Sequence, residues 1–495
     1  MRGKYGVGLA VTVACATALV AITGPALKAK KDDARKFEVW TVDQFGPDPT
    51  AGHLYIYSDR DLTGNAKHIA KAEPEKYDLS SANALCAAQG AADPRPAPAG
   101  GMVQPLSRGH MGRFTADHRT YVLAFVLSGH ILFIDTETRT PIRCIDVGAQ
   151  AHAAFPSHDN MFVVVANQNG KLLQRINTDA DGNGTPYENA GDIQLDSAAT
   201  LNLAAGTTPS GALIQGPGRP DNAPICPVLD HNDQFVFVTL RGGGLLVASA
   251  QTSPMQIVAE YTSDPLSGIK PEGCGGNQRG DWMFINSGRR SNPTPDISDG
   301  DVYAFDVTQF SATSPSLIPN VPVPIHVFSA GAGQIDYHSM TLNPKRKGRY
   351  LWNGDRWANQ ILVFDTYTRE LVNILHLQDE LSADPAPDLM DTTPDGKWVF
   401  FASRGLCPTT ANAAGANNAV GSSPGVGVIK VTGGGRSGRF VGLAPIDNPA
   451  PGGFDCPSRT DDVAGDITNR ADMHALRIRI IDFGRHADDD DDDDD

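Results

Sequence analysis

The chain has 495 residues, of which 40% are hydrophobic and 20% charged, and these values exclude an intrinsically disordered protein. Its formal net charge is −16, but the terminal run Asp488–Asp495 carries eight of those charges, which leaves a body of about −8 that gives no reason to expect nucleic acid binding. The 51 Gly and 35 Pro residues lie between apolar runs and favour an all-β, turn-rich fold over a helical one.

The N-terminus has the pattern of a secretory signal peptide. Arg2 and Lys4 precede the apolar run Tyr5–Ile22, and small residues follow between Gly24 and Ala29. This predicts a signal peptide at residues 1–29 and export to the periplasm or the extracellular space, with no transmembrane span after cleavage. A membrane anchor is the alternative, although the apolar run is slightly short for one. A lipoprotein signal at Cys15 is a weaker alternative.

Six cysteines remain after the predicted cleavage: Cys86, Cys144, Cys226, Cys274, Cys407 and Cys456. In an exported chain they predict up to three disulfides, and the sequence does not fix their connectivity. Cys407–Cys456 is the best-supported pair, because it would tie an insertion to the connection that follows it. No CxxC motif is present, which argues against a zinc ribbon and against covalently attached haem.

A unit of about 40 residues repeats along the chain, and His338–Leu377 is its clearest copy. It contains four short apolar runs separated by turn residues, the pattern of a four-stranded antiparallel sheet. Complete copies begin at Gly109, and the last copy has only one strand, Met473–Ile481. Strands beginning at Phe37 and His53 can complete it. We therefore predict a seven-bladed β-propeller over residues 36–484, closed by N- and C-terminal strands; six or eight blades, or a solenoid, are the alternatives.

Residues 485–495 are predicted to form an acidic, disordered tail, because like charges repel each other. Its simplest role is to keep the protein soluble, and weak binding of Ca²⁺ or other cations is the alternative.

One segment has the spacing of a twelve-residue calcium loop. Oxygen-bearing side chains lie at loop positions 1, 3, 5, 7 and 12, and Gly182 lies at position 6. The predicted Ca²⁺ ligands are Asn177, Asp179, Asp181, Asn183 and Glu188. Pro186 makes a flanking helix unexpected, so the predicted role is to stiffen a loop; an ordinary polar hairpin is the alternative.

Four of the innermost strands of the predicted propeller open with a histidine. These residues are His110, His152, His338 and His474, and the other three blades have Cys226, Cys274 and Asp391 nearby. Imidazole is a ligand for copper, iron and zinc, so four inward-facing histidines predict a transition-metal site in the central channel. The alternative is that they line the channel and are hydrogen-bonded to backbone or water.

Arginines follow the second strands of several blades and are predicted to face the same end of the propeller. They are Arg241, Arg289, Arg356 and Arg404. Such a group predicts the binding of a small anion. Pairing between blades with Asp355, Asp391 or a carbonyl is the alternative.

The repeats resemble those of the YVTN-type, lactonase-like β-propeller superfamily. The resemblance is carried by segments such as PDGKWVFFAS (Pro394–Ser403) and GHILFIDTETRTPIRCIDV (Gly129–Val147). It covers most of the mature chain and implies the fold more than a function, since members include lactonase-like enzymes, the propellers of nitrous oxide reductase and amine dehydrogenases, and proteins with no known activity.

Three functions are compatible with these patterns. The first is an exported metal-dependent enzyme, most readily an oxidoreductase acting on a small anionic substrate. The second is a non-enzymatic scaffold that is stiffened by calcium and recognises a protein or a surface polymer. The third is a lactonase-like hydrolase that uses a divalent ion in the channel. The sequence does not decide whether the protein is an enzyme.

Overall fold

The protein is a seven-bladed β-propeller in which every blade is a four-stranded antiparallel sheet. The computed structural model describes residues 37–45, 51–92, 105–204, 207–208, 222–241, 243–261, 273–288, 298–316, 320–333, 335–408, 420–449 and 468–481. The predicted signal peptide and the acidic tail lie outside these residues. The predicted all-β fold and the number of blades are confirmed.

The strands follow one another around the ring in chain order. The N-terminal strands are β1 (Phe37–Asp43), β2 (His53–Ser58) and β3 (Glu75–Asp78). The next blades are β4 (Gly109–Phe114), β5 (Thr120–Phe125), β6 (His130–Asp135) and β7 (Thr140–Asp146), then β8 (Ala151–Pro156), β9 (Phe162–Asn167), β10 (Leu172–Asn177) and β11 (Gln194–Asn202). They are followed by β12 (Pro224–Leu229), β13 (Phe235–Leu240), β14 (Leu245–Ser249) and β15 (Gln256–Tyr261).

The second half of the ring repeats the same order. It contains β16 (Gly276–Arg279), β17 (Trp282–Asn286), β18 (Ser298–Asp306) and β19 (Ile325–Gly333), then β20 (Tyr337–Asn343), β21 (Tyr350–Asp355), β22 (Gln360–Asp365) and β23 (Glu370–His376). The last complete blade is β24 (Pro387–Thr392), β25 (Trp398–Ser403), β26 (Gly425–Thr432) and β27 (Ser437–Pro445), and the final strand is β28 (Met473–Ile480).

The ring closes through β28 and the N-terminal strands. β28 is the innermost strand of a blade completed by β1, β2 and β3, and Val39 pairs with Ile478 across the junction. This confirms the closure predicted from the incomplete last repeat. Closure gives β1 a hydrogen-bonded neighbour on both sides, so the junction leaves no strand edge open there.

Aspartates repeatedly close the hairpins between the third and fourth strands. Asp135 Oδ1 accepts backbone N–H groups of Glu137 and Thr138, and Asp365 Oδ1 accepts those of Tyr367 and Thr368. An Asp side chain that binds the backbone N–H groups ahead of it stabilises a tight reversal. The repeated Asp-Thr-x-Thr segments are therefore turn chemistry.

Residues 59–92 contain most of the helical structure in the described part of the chain. They form β3 and the helices α1 (Asp59–Leu62), α2 (Ala66–Ile69) and α3 (Asn83–Ala92). The only other segment assigned as α-helix in the described residues is a short turn at Lys345–Gly348, and single 3₁₀ turns lie at Leu79–Ala82, Val307–Gln309 and Gly433–Gly435. The sequence of β3, Glu-Lys-Tyr-Asp, is polar, as suits an outermost strand, and it does not show the apolar pattern from which strands are predicted.

Disulfides join neighbouring elements of the ring. Cys86 of α3 pairs with Cys144 of β7, and Cys226 of β12 pairs with Cys274, which precedes β16. Cys407 is also disulfide-bonded. Its predicted partner, Cys456, lies outside the described residues.

Candidate metal centre

The channel-facing polar residues lie at β-bulges near the start of the innermost strands. In β4, Gly109 pairs with Phe125 and Met111 with Ala124, so His110 has no partner in the ladder. The same irregularity lies between Ala151 and Ala153 and between Tyr337 and Ser339, at His152 and His338. A bulge turns one side chain away from the pleat of its strand. The repeated bulge therefore aims these imidazoles at the axis of the ring.

The four predicted histidines are buried and lie in two pairs. The Nε2 atoms of His110 and His152 are 3.3 Å apart, and those of His338 and His474 are also 3.3 Å apart. The pairs are neighbours, because the rings of His110 and His474 have centroids 3.8 Å apart. Each of the four histidines is at most 6% exposed to solvent. The structure therefore brings the four residues together as two adjoining pairs.

The tautomers of the first pair follow from the groups behind them. His110 Nδ1 lies 2.7 Å from the amide oxygen Oε1 of Gln44, and His152 Nδ1 lies 3.0 Å from the carbonyl oxygen of Ile225. Both acceptors require an N–H at Nδ1, which leaves the Nε2 lone pairs of two neutral rings facing each other. Such an arrangement is stabilised by a positive centre between the rings. Hydrogen bonding of the outer ring nitrogen is also typical of metal-ligating histidines.

Asp388 lies next to the second pair, His338 and His474. Its Oδ1 lies 3.5 Å from His338 Nε2, and the three side chains of His338, His474 and Asp388 each offer a ligand atom within 4.8 Å of the others. Asp388 Oδ1 is buried and has no hydrogen-bond partner among the residues that the structure describes. Two nitrogens 3.3 Å apart match the edge of a tetrahedron with metal–nitrogen bonds of ~2.0–2.1 Å. The site therefore fits a divalent transition-metal ion by donor type, spacing and an unused carboxylate oxygen.

The protonation of these groups suits metal ligation. Burial lowers the pKa of His110, His338 and His474 well below the ordinary value, and nearby cationic groups add to this effect. Burial opposes ionisation of Asp388, but the cationic guanidinium groups of Arg356 and Arg404 favour it, and the pKa of that carboxyl lies well below its usual range. Neutral imidazoles and an ionised carboxylate are the forms that bind metal ions.

Asp388 was not among the predicted site residues, and the residue noted near the start of the innermost strand in that blade was Asp391. Asp388 occupies the second position of β24, as His338 does in β20. Asp391 Oδ2 instead accepts the backbone N–H of Ile478 in the adjoining blade. If the two repeats are aligned so that Met390 matches Met340, Asp388, and not Asp391, takes the position that is equivalent to His338.

Arg356 and Arg404 lie at the predicted end of the propeller, but both are engaged by buried carboxylates. Arg356 makes a bidentate contact with Asp336 through Nε and Nη2, at 3.0 and 2.9 Å, and its Nη1 lies 3.2 Å from Asp388 Oδ2. Arg404 bridges Asp388 and Asp472. Pairing between elements therefore describes these two arginines better than an open anion site.

The partners differ from those that the sequence predicts. Asp355 caps the turn after its own strand by accepting the N–H groups of Trp357 and Ala358. The carboxylates that hold the arginines are Asp336, Asp388 and Asp472, which lie at the starts of innermost strands or just before them. Gln44 links Asp472 to His110, because its Nε2 donates to Asp472 Oδ2 at 2.7 Å.

The structure describes one of the two other predicted arginines. Arg241 is half-buried, and its Nη2 donates to Gln168 Oε1 at 2.9 Å. Arg289 lies outside the described residues, so its predicted role in binding an anion stays a prediction.

The calcium loop keeps part of its predicted form. Asn183 is at its centre: its backbone N–H contacts Asp179 and Asp181, and its Nδ2 donates to Glu188 at 2.9 Å. Gly182 has φ of 71°. Asn177 instead lies 3.4 Å from Asp196 of the next strand. Four of the five predicted ligands are thus near one another, and calcium binding stays a prediction.

A disulfide lies next to the first histidine pair. Cys226 and Cys274 are within 4.8 Å of a ring nitrogen of His152. Their sulfurs are joined to each other and are therefore poor metal ligands. In this oxidised form they shape the channel wall beside His152.

Comparisons with known proteins show the fold. No protein-family model matches the chain, and no curated protein matches it. A protein from Lactobacillus plantarum has a TM-score of 0.51 and 10% identity, covering 90% of this chain and 99% of the other. A putative 6-phosphogluconolactonase from Bacteroides fragilis has a TM-score of 0.51 and 12% identity, covering 91% and 99%.

The periplasmic gluconolactonase of Pseudomonas aeruginosa has a TM-score of 0.48 and 12% identity, covering 90% of this chain and 99% of the other. The fold that the predicted resemblance implies is confirmed by the two structures with a TM-score of 0.51. At these identities the likeness concerns architecture and does not extend to activity. Among the described residues, no helix is both long and apolar enough to cross a membrane.

Proposed function

We propose that this chain is an exported metalloenzyme that binds a divalent transition-metal ion in its channel and carries out redox chemistry on a small substrate. The observation that carries the proposal is the convergence of His338, His474 and Asp388, next to the facing lone pairs of His110 and His152. Two histidines and one carboxylate with open positions are the donor set of many non-haem iron oxygenases.

In this function, the side chains around the ion have separate roles. Asp388 supplies Oδ1, while Arg356 and Arg404 bind its Oδ2 and fix its orientation. Gln44 fixes the tautomer of His110. When bound, the ion supplies a Lewis acid and a redox centre. The low exposure of the imidazoles keeps bulk water away from them.

Export is supported by the disulfides, because such bonds persist in oxidising compartments. The substrate was predicted to be a small anion. The pairing of Arg356 and Arg404 removes the main reason for that prediction, so the proposal specifies a small substrate of either polarity.

Metal-assisted hydrolysis of a lactone is the second candidate. It is favoured by the same donor set, since a bound divalent ion can activate water at neutral pH. A structure with the same fold is described as a putative 6-phosphogluconolactonase, and this makes a lactone a reasonable substrate to test.

Elemental analysis of the untagged, exported protein tests the proposal. We expect about one transition-metal ion per chain in the wild type, and at least a tenfold loss in His338→Ala and Asp388→Asn. His376→Ala is a matched control, because His376 is exposed in the same blade as His338. Unchanged metal content in the two channel variants, with folding verified by circular dichroism, would reject the proposal.

The identity of the ion then separates the two reactions. Iron or copper whose electron paramagnetic resonance signal responds to dithionite supports redox chemistry. Zinc together with hydrolysis of glucono-δ-lactone, lost in His338→Ala, supports the hydrolase. Calcium alone supports the non-enzymatic scaffold.

A further inference from the structure

A polar cavity lies at the ends of three innermost strands, whereas the candidate metal centre lies near their starts. The cavity has a volume of about 190 Å³ and lies where β4, β8 and β12 end, at Phe114, Pro156 and Leu229. Since β4 rises ~3.3 Å per residue, Phe114 is about 13 Å from His110 along the strand. The cavity is thus separate from the metal centre, and at ~30 Å³ per water it has room for about six water molecules.

Arg113 lines this cavity with a guanidinium group that makes no hydrogen bond or ion pair among the described residues; the nearby carboxylate of Asp391, which accepts the backbone N–H of Ile478, acts on it only electrostatically. Its Nε is buried without a hydrogen bond, and its guanidinium carbon lies 4.1 Å from the centre of the Phe155 ring. Burial, with nearby Arg477 adding to it, lowers the pKa of Arg113 well below its ordinary value. An anion next to the guanidinium would stabilise its charged form. Arg113 therefore differs from Arg356 and Arg404, which carboxylates of the chain neutralise.

Two histidines face the same cavity and provide further donors. His158 Nδ1 lies 2.7 Å from Asp233 Oδ1, and its hydrogen bond to this carboxylate raises the pKa of His158. When the His158 ring is protonated, its Nε2 also carries a hydrogen that can be donated into the cavity. The ring of His231 is 5.5 Å from that of His158, measured between centroids. Arg113, His158 and His231 thus surround a space large enough for a small ligand.

The carboxylates near this cavity already have partners. Asp233 accepts from His158 and from the backbone N–H of Asp159. Asp230 accepts backbone N–H groups of Gln234 and Phe235. Asp159 accepts from Ser157 and from the backbone of Met161. Because these carboxylates are already hydrogen-bonded, the groups left to contact a ligand in the cavity are mainly positive or neutral hydrogen-bond donors. Such groups are suited to binding an anion.

We propose that this cavity binds a small oxyanion, either a carboxylate or a sulfate- or phosphate-like group, through the guanidinium of Arg113 with His158 and His231 as additional donors. This site is independent of the metal centre. Arginine is suited to the role because its planar fork matches two oxygens of such an anion.

Isothermal titration calorimetry with sulfate and, separately, acetate in a chloride buffer tests the inference on the full chain. We expect Arg113→Gln to weaken binding at least tenfold. Arg119→Gln is the matched control: Arg119 is exposed, and its charge lies outside the cavity. The ratio of the two dissociation constants shows which oxyanion geometry the cavity prefers.

The pH dependence gives a second measurement that does not depend on a buried substitution. Sulfate keeps its charge between pH 5.5 and 8.5, so a change in affinity over this range reports on the protein. His158 faces Asp233, Asp230, His231 and Arg113, and its raised pKa means that binding should strengthen as the pH falls. His158→Asn, at a half-exposed side chain, should remove most of this dependence.

The outcomes are distinct from those of the metal experiment. His338→Ala should bind sulfate as the wild type does, even though it loses the metal. Equal affinity of Arg113→Gln and the wild type, or no heat of binding for either probe in the wild type, would overturn the inference.

Discussion

At the scale of single residues, the channel is organised by Asp388. Its Oδ2 contacts Arg356 and Arg404, and its Oδ1 lies 3.5 Å from the Nε2 of His338. A carboxylate that is held by two guanidinium groups on one oxygen presents the other in a fixed direction. The same arrangement explains why two arginines predicted to bind a ligand are instead part of the support of the site.

The cost of disturbing this network can be measured. Arg404→Gln leaves Asp388 and Asp472 without their shared cation, and breaking a buried ion pair in this way costs about 3–5 kcal/mol of unfolding free energy. Urea denaturation of chelator-treated protein measures this change without a contribution from bound metal.

The control is Arg349→Gln, which removes a pair with Asp365 in which the arginine side chain is 39% exposed. Solvent screens that pair, so little change in stability is expected. Equal effects of the two substitutions would contradict the account of Arg404.

The sequence was sufficient to place the four histidines but not the carboxylate. The histidines recur at one position of the repeat, whereas Asp388 is a single residue in a strand that also contains Asp391. Choosing between the two requires the position of the bulge, and that depends on pairing between strands, which a single sequence does not define. Gln44 and Asp472 could not be predicted, because they come into contact with the site only when β1 and β28 pair and close the ring.

At the scale of elements, repeated turns and bulges account for most of the architecture. Runs bounded by Gly, Asn, Asp and Pro predicted the strands of the complete blades. The helices between residues 59 and 92 do not follow the repeat, and they pack on the outside of the ring. In α3, Gln89 Oε1 accepts the backbone N–H of Cys144 at 2.8 Å and so covers part of the outer strand β7. Because this contact joins residues that are 55 positions apart, it cannot be predicted from local sequence patterns.

The disulfide between α3 and β7 should stabilise this attachment. Cys86 and Cys144 are 58 residues apart, and closing a loop of that length in the unfolded chain corresponds to about 4 kcal/mol in the chain-entropy model. We expect Cys86→Ser, Cys144→Ser and the double variant to lower the unfolding free energy by similar amounts, because each removes the same bond. Urea denaturation measures the three values. A loss below 1 kcal/mol, or additive effects of the single variants, would show that the disulfide is not the cause.

At the scale of the whole molecule, closure of the ring creates the site. His474 lies on β28, and its ring comes within 3.8 Å of that of His110, on a strand 364 positions earlier in the chain. The junction between β28 and β1 therefore determines whether the two histidine pairs adjoin. A propeller repeat predicts this closure, since seven blades need the strands at both ends of the chain. The chemistry of the channel is a consequence of the closed ring.

X-ray diffraction at the absorption edge of the bound metal locates the ion in the channel. We expect one anomalous peak there, with His338 Nε2, His474 Nε2 and Asp388 Oδ1 within ~2.0–2.2 Å of it. No channel peak in metal-replete crystals, or a peak only at the loop of Asp179, Asp181 and Glu188, would contradict the proposed metal centre.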